Sequence, residues 1–193
     1  STHASSSAAS DVYKRQTVQQ ASLAVDEISE DTQLTKAIQI QGASSDYFLH
    51  RVEDVTRFSN QTFTLSFYVK GSSATTLNNI YARQYFGSGG SSIVDTAFSN
   101  LSHSVTDSYT RYTGTVTLPS ISGKTVGTGS YLEIFMLLPD GVTIYITGVQ
   151  LEVGEQATPF EHRSFGDELL RCQRYFQIYG GDSIEHFPGG VMS

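Results

Sequence analysis

Tryptophan is absent from this chain, cysteine occurs once, methionine twice and proline four times among 193 residues. The single thiol, Cys172, excludes an intrachain disulfide framework, so folding under reducing conditions is the simplest reading. Basic residues are scarce, with 12 Lys and Arg against 19 Asp and Glu, a formal net charge of -7. A nucleic-acid surface needs a basic footprint, and electrostatic docking on an anionic membrane needs a polybasic segment; neither is present. No apolar run approaches a membrane span, which excludes membrane insertion by a helix.

Catalytic and cofactor signatures are also lacking. The stretch SGKT (122–125) has Leu118 where a phosphate-binding loop needs glycine, and Val126-Gly127 follows where a helix should begin, so it reads as an interstrand loop. GSGGSS (87–92) is too short and polar to open a dinucleotide-binding helix. It reads as a surface loop, or as a loop whose glycines let the backbone approach a ligand. The histidines His3, His50, His103, His162 and His186 show no metal-ligand spacing. No GxSxG nucleophile elbow occurs. Glu53/Asp54 and Glu152/Glu155 read as solvated strand-end carboxylates rather than an acid/base pair. Asn60-Gln-Thr62 and Asn100-Leu-Ser102 match the glycosylation sequon by chance, since no secretory signal accompanies them. The expectation is a non-enzyme with no catalytic residues, no metal and no cofactor.

What the chain does have is β-composition. Tyrosine and phenylalanine number 11 each, and only 16% of residues are charged; aromatic and β-branched residues suit pleated, half-buried surfaces. Alternation predicts strands over 37–41, 47–55, 63–70, 80–86, 111–118 and 131–138, then over 142–147 and 149–153 as one strand or a pair broken at Gly148. In the clearest of these, FTLSFYVK, Phe63, Leu65, Phe67 and Val69 share one face and Thr64, Ser66 and Tyr68 the other. Pro119 and the turn Pro139-Asp140-Gly141 punctuate the pattern. Seven or eight short strands, each with one apolar and one polar face, indicate antiparallel sheets packed as a sandwich with one solvated face each.

The flanks differ. Residues 1–16 are small, polar and aperiodic, which reads as disordered or as a non-native, adapter-derived segment. Residues 17–35 read as an entering linker or edge segment, and 36–163 as the sandwich. Ser164 and Asp167 form a capping-box-like start for a linker helix over 164–173. A new strand in RYFQIY then suggests that 174–193 begin a truncated second module.

One candidate surface emerges. Tyr68 lies opposite the apolar face of its strand, and Tyr81, Arg83 and Tyr85 share a face of the next. If these faces coincide, they form a tyrosine patch with one arginine. Tyrosine offers an apolar ring with a polar tip and arginine offers directed donors, a combination suited to sugars. The competing reading is that these tyrosines cover an exposed sheet or pack against a neighbouring chain.

The run GVQLEVGEQATPFEHRSFGDELLRCQRYF (148–176) resembles the closing segment of a module in bacteriophage tail-fibre and tail-spike proteins. The shared pieces are Gly148 to Glu152, Gly154, Ala157 to Glu161, Arg163 and Cys172 to Phe176. HRVEDV, TFTLSFYVKG, RQYFGSGGSS, RYTGTVTLPSISGKTVG and YLEIFMLLP resemble it in the same order, covering about 36–179. The resemblance implies an all-β, jelly-roll β-sandwich similar to carbohydrate-binding modules, followed by the helix and the next module. It further implies a structural, non-catalytic part of a virion tail made in the host cytoplasm. The implied partners are host cell-surface polysaccharide, other fibre modules and, by analogy, identical chains in a trimer. Calcium is not carried over, because Thr147-Gly148-Val149 stands where related sandwiches place acidic ligands. A module appended to a polysaccharide-degrading enzyme, or a bacterial adhesin repeat, are the alternatives.

Overall fold

In a computed structural model the chain divides into two compact units, Ser1–Phe160 and Glu161–Ser193. The structure describes residues 17–42, 46–99 and 103–162. The expected disordered or non-native segment 1–16, the linker helix over 164–173, Cys172 and the start of a second module over 174–193 lie outside the described residues.

Among the described residues there are eleven strands: β1 (Thr17–Ser22), β2 (Lys36–Gln41), β3 (Tyr47–Glu53), β4 (Thr62–Gly71), β5 (Thr75–Leu77), β6 (Ile80–Tyr85), β7 (Val94–Ala97), β8 (His103–Val105), β9 (Thr110–Thr117), β10 (Tyr131–Leu137) and β11 (Thr143–Val153). They form a five-stranded sheet in the order β1-β2-β11-β4-β9 and a four-stranded sheet in the order β3-β10-β6-β7. The pair β5-β8 stands as a separate small sheet. Every named pairing is antiparallel. Sequence neighbours are often separated in space, as where β11 lies between β2 and β4. This all-β architecture is a jelly-roll sandwich.

The core follows from two-residue alternation. Phe63, Leu65, Phe67 and Val69 of β4 and Ile144 and Ile146 of β11 meet Ile80 and Ala82 of β6 and Leu132 and Met136 of β10. Phe67 and Tyr112 approach at 6.1 Å within this layer, and the Tyr112 hydroxyl donates to the Ser104 carbonyl at 2.7 Å. Burying a side chain of this size stabilises by about 1.5–3 kcal/mol, so this continuous apolar layer holds the two sheets together.

The expected strand over 47–55 ends earlier, at Glu53. Asp54 takes a φ of 67° and accepts from the Thr56 backbone N–H at 3.0 Å. That cap starts a 3-10 turn over Val55–Phe58, which turns Val55 into the core. The segments over 142–147 and 149–153 are one strand, β11, whose register shifts between Thr147 and Gln150. Gly148 sits in that bulge at a φ of 58°, where a Cβ would lie 3.0 Å from the Tyr68 ring and 3.1 Å from Leu34.

The expectation of one solvated face per sheet fails for the five-stranded sheet. Thr64, Ser66 and Tyr68, on the outer side of β4, are all buried. Residues 23–35 cover part of that side: Ile28 is buried, the Tyr68 hydroxyl reaches Glu30 at 3.4 Å, and Glu27 pairs with Lys70. Residues after β11 cover another part. Thr64 Oγ1 donates to the Gly154 carbonyl at 2.7 Å, and Arg111 donates to the Thr158 carbonyl. Thr158 is fixed in turn by donating its N–H and its hydroxyl to the Glu152 carboxylate at 3.0 and 2.6 Å. The ATPFE stretch therefore begins as a strap along its own sheet.

Candidate functional site

Among the described residues, no segment covers the outer side of the four-stranded sheet in this way. Alternation in β10 sends Leu132 and Met136 into the core and turns Tyr131, Glu133 and Phe135 outward. The register then aligns these with residues of both neighbours. Tyr131 stands between Glu53 and Tyr85, Glu133 between Arg51 and Arg83, and Phe135 between Leu49 and Tyr81. On the other flank of β6, Arg83 is opposite Asp95 and Tyr81 opposite Ala97. Three rows therefore cross the sheet, spaced about 7 Å apart by two residues of strand rise.

The outer rows are aromatic. Tyr85 and Tyr131 lie with ring centroids 4.6 Å apart, tilted by 31°. Tyr81 stacks on Phe135 at 5.4 Å and 21°, and Tyr47 meets the same Phe135 edge-on at 5.7 Å. Phe135 is thereby buried although it points away from the core. Tyr47 and Leu49 remain exposed, at 49% and 44%. Offset and edge-to-face contacts of this kind add to the burial energy and hold the rings in place.

The middle row is ionic and crosses all four strands. Arg51 Nε donates to Glu133 Oε2 at 2.6 Å. Arg83 Nη1 lies 3.5 Å from Glu133 Oε1, and the same guanidinium grips Asp95 with two bonds of 2.7 and 2.8 Å. A fork-to-carboxylate pair is the strong form of such a bond. Each arginine also covers a ring: Arg51 lies 4.6 Å from the Tyr131 centroid and Arg83 4.7 Å from that of Phe135. The Glu133 carboxylate raises the Arg51 pKa above its ordinary value, and Asp95 does the same for Arg83. Both stay charged at any working pH.

Beyond the Tyr85/Tyr131 row, the two glycine-rich loops pair with each other. Ser88 N–H donates to the Thr128 carbonyl at 2.9 Å, Ser91 N–H to the Thr125 carbonyl at 2.9 Å and Gly127 N–H to the Phe86 carbonyl at 2.6 Å. A Cβ on Gly127 would lie 2.0 Å from the Ser88 carbonyl oxygen, so the approach requires glycine. GSGGSS and SGKTVGTG are thus the two halves of one braced edge beside the aromatic face.

Of the four residues read from sequence, the structure brings together Tyr81, Arg83 and Tyr85 and sets Tyr68 apart. Tyr68 belongs to the five-stranded sheet, buried beneath residues 23–35. Its pKa is raised, first by that burial. The two faces therefore do not coincide. Sequence reasoning did not nominate Tyr47, Arg51, Asp95, Tyr131, Glu133 or Phe135. The signal was present in YLEIF, where Tyr131, Glu133 and Phe135 occupy alternate positions, but the surrounding apolar residues made the whole run look like core. Among the described residues no group of three or more His, Cys, Asp or Glu is placed to hold a metal ion, and no helix is long and apolar enough to cross a membrane.

No protein-family model matches the chain, and no curated protein matches it. Solved structures do. The CBM22-1 xylan-binding domain from Paenibacillus barcinonensis Xyn10C aligns with a TM-score of 0.50 at 15% identity, covering 75% of this chain and 85% of that one. The two chains share a β-sandwich fold. The N-terminal CBM22-1-CBM22-2 tandem of the same protein also aligns, with a TM-score of 0.50 at 16% identity, over 75% of this chain and 40% of the tandem. The enzymatically active domain of bacteriophage CBA120 tailspike protein 4 is looser, with a TM-score of 0.39 at 14% identity, covering 73% of this chain and 20% of that one.

Proposed function

We propose that the chain is a non-catalytic, glycan-binding module whose binding surface is the outer side of the four-stranded sheet. The observation that carries this reading is the alternation of rows on that side, two aromatic rows flanking one of fixed charges. A pyranose ring has apolar C–H faces and a rim of hydroxyls. Aromatic rings match the faces, and a row of guanidinium donors and carboxylate acceptors matches the rim. Preorganisation lowers the cost of binding, and each charged group here is already held by a neighbour. Tyr81 and Tyr85, with Arg83 between them, supply the centre. Tyr47, Arg51 and Tyr131 extend it toward β3. The closed outer side of the five-stranded sheet leaves Tyr68 a packing role.

The setting we propose is a bacteriophage tail fibre, in which the module meets host-surface polysaccharide, supported by the ordered resemblance of the 148–176 junction and the upstream strands. A module appended to a polysaccharide-degrading enzyme is the second reading, favoured by the likeness to the xylan-binding domain. A glycan array probed with the full chain tests the binding claim common to both. Specific retention is expected, lost in Tyr81→Ala and Tyr85→Ala at unchanged circular dichroism. Retention unaffected by both substitutions would move the site elsewhere. The complete reading frame separates the settings, since flanking virion genes support the fibre and a fused hydrolase domain supports the enzyme appendage.

A further inference from the structure

We propose, resting on the glycan-binding reading of this face, that its ligand is an uncharged polysaccharide and that Asp95 and Glu133 enforce the choice. The register places two cations, Arg51 and Arg83, and three carboxylates, Glu53, Glu133 and Asp95, on the outer side of the four strands. Each cation is already paired with a carboxylate of the same row. Arg83 holds Asp95 through two bonds and also lies against Glu133. Arg51 holds Glu133 through Nε. A uronate or sulfated sugar entering this row would meet no uncompensated positive charge. It would have to displace a carboxylate from its fork or leave its own charge unpaired, and like-charge juxtaposition at close range is costly. The chain's net charge of -7 adds a long-range repulsion.

The same row suits hydroxyls. The Arg51 side chain is 55% exposed, and among the described residues its only side-chain hydrogen bond is through Nε to Glu133. Its terminal nitrogens are therefore donors for a neutral acceptor. The Glu133 and Asp95 carboxylates retain lone pairs that accept from sugar O–H groups. The aromatic rows contribute ring faces that do not depend on ligand charge.

Affinity gel electrophoresis of the full chain tests this, with neutral arabinoxylan, galactomannan and dextran as uncharged polysaccharides and polygalacturonate and alginate as polyuronates. At low ionic strength, retardation is expected in at least one uncharged gel and in neither polyuronate gel. Asp95→Asn, which leaves Arg83 short of one carboxylate, is expected to gain retardation in polygalacturonate that disappears with added salt. Retardation of the unaltered chain by a polyuronate would overturn the inference while upholding glycan binding. Absence of any gain in Asp95→Asn, at an unchanged melting temperature, would overturn the role given to that carboxylate. Retardation by no polysaccharide of either kind would overturn the glycan-binding reading and this inference with it.

Discussion

Tyr81 lies on Phe135 with centroids 5.4 Å apart and planes 21° from parallel, on the outer side of a sheet whose inner side is the core. The two rings have different duties. Phe135 is 8% exposed and supports Tyr81, Tyr47 and Arg83, so Phe135→Ala should destabilise the fold by about 3 kcal/mol. Tyr81→Ala should cost less stability and more binding. Denaturant titration alongside glycan retention separates the two. Equal losses in both properties for both variants would contradict the division.

Tyr68→Ala should behave as a core deletion. The ring is 5% exposed and lies against the bulge at Gly148, so a loss of about 3 kcal/mol is expected, or about 6–12 °C in Tm for a domain of this size. Folded Tyr68→Ala should retain glycan normally. Loss of retention at an unchanged Tm would return Tyr68 to the binding surface.

How far the sequence disclosed this arrangement depended on whether a signal was local. Alternation in FTLSFYVK identified the inward set of β4, because inner and outer positions differ in polarity. The short strands VDTA and HSV, at 94–97 and 103–105, carry too little apolar contrast to announce themselves, and they form only where a neighbour offers a ladder. Tyr68 misled because exposure of the outer side depends on residues 23–35, remote in sequence and nearly aperiodic. Tyr131 and Phe135 were hidden for the opposite reason: an aromatic residue that covers an outer surface has the same composition as one that fills a core. The partnership of Arg51, Glu133, Arg83 and Asp95 is a property of register across four strands, which no single segment reveals.

Gly127→Ala tests the pairing of the two loops. Its Cβ would meet the Ser88 carbonyl at 2.0 Å, a contact the backbone can relieve only by separating the loops. Loss of about 2 kcal/mol is expected, with faster amide exchange at Ser88 and Ser91. Unchanged protection at both amides would show that the loops are not mutually braced.

Acid should loosen the cover over the five-stranded sheet. The Glu27 carboxyl is held below its ordinary value of 4.5, chiefly by the hydrogen bond from Lys70, against an opposing effect of burial. Glu152 is also lowered: burial raises it, and the bonds from Thr158 and Gln150 outweigh that rise. For a carboxyl depressed in the folded state, the unfolded chain takes up its proton first. The stabilisation is therefore present above pH 4.5 and lost as pH falls through the folded value. Protection factors of residues 23–35 and 154–158 should fall in that range before those of β4 and β10. A simultaneous loss everywhere would contradict a separable cover.

The location of the ligand is the central claim, and the 11 tyrosines of the chain report on it residue by residue. NMR titration of the isotopically labelled chain with an oligosaccharide from a polysaccharide that retards it should perturb ring signals of Tyr47, Tyr81, Tyr85 and Tyr131. Those of Tyr68, and of Tyr109 and Tyr145, whose rings lie 4.8 and 5.2 Å from the Lys70 ammonium on the five-stranded sheet, should stay in place. Perturbation confined to the second group would place the ligand on the five-stranded sheet and contradict the account.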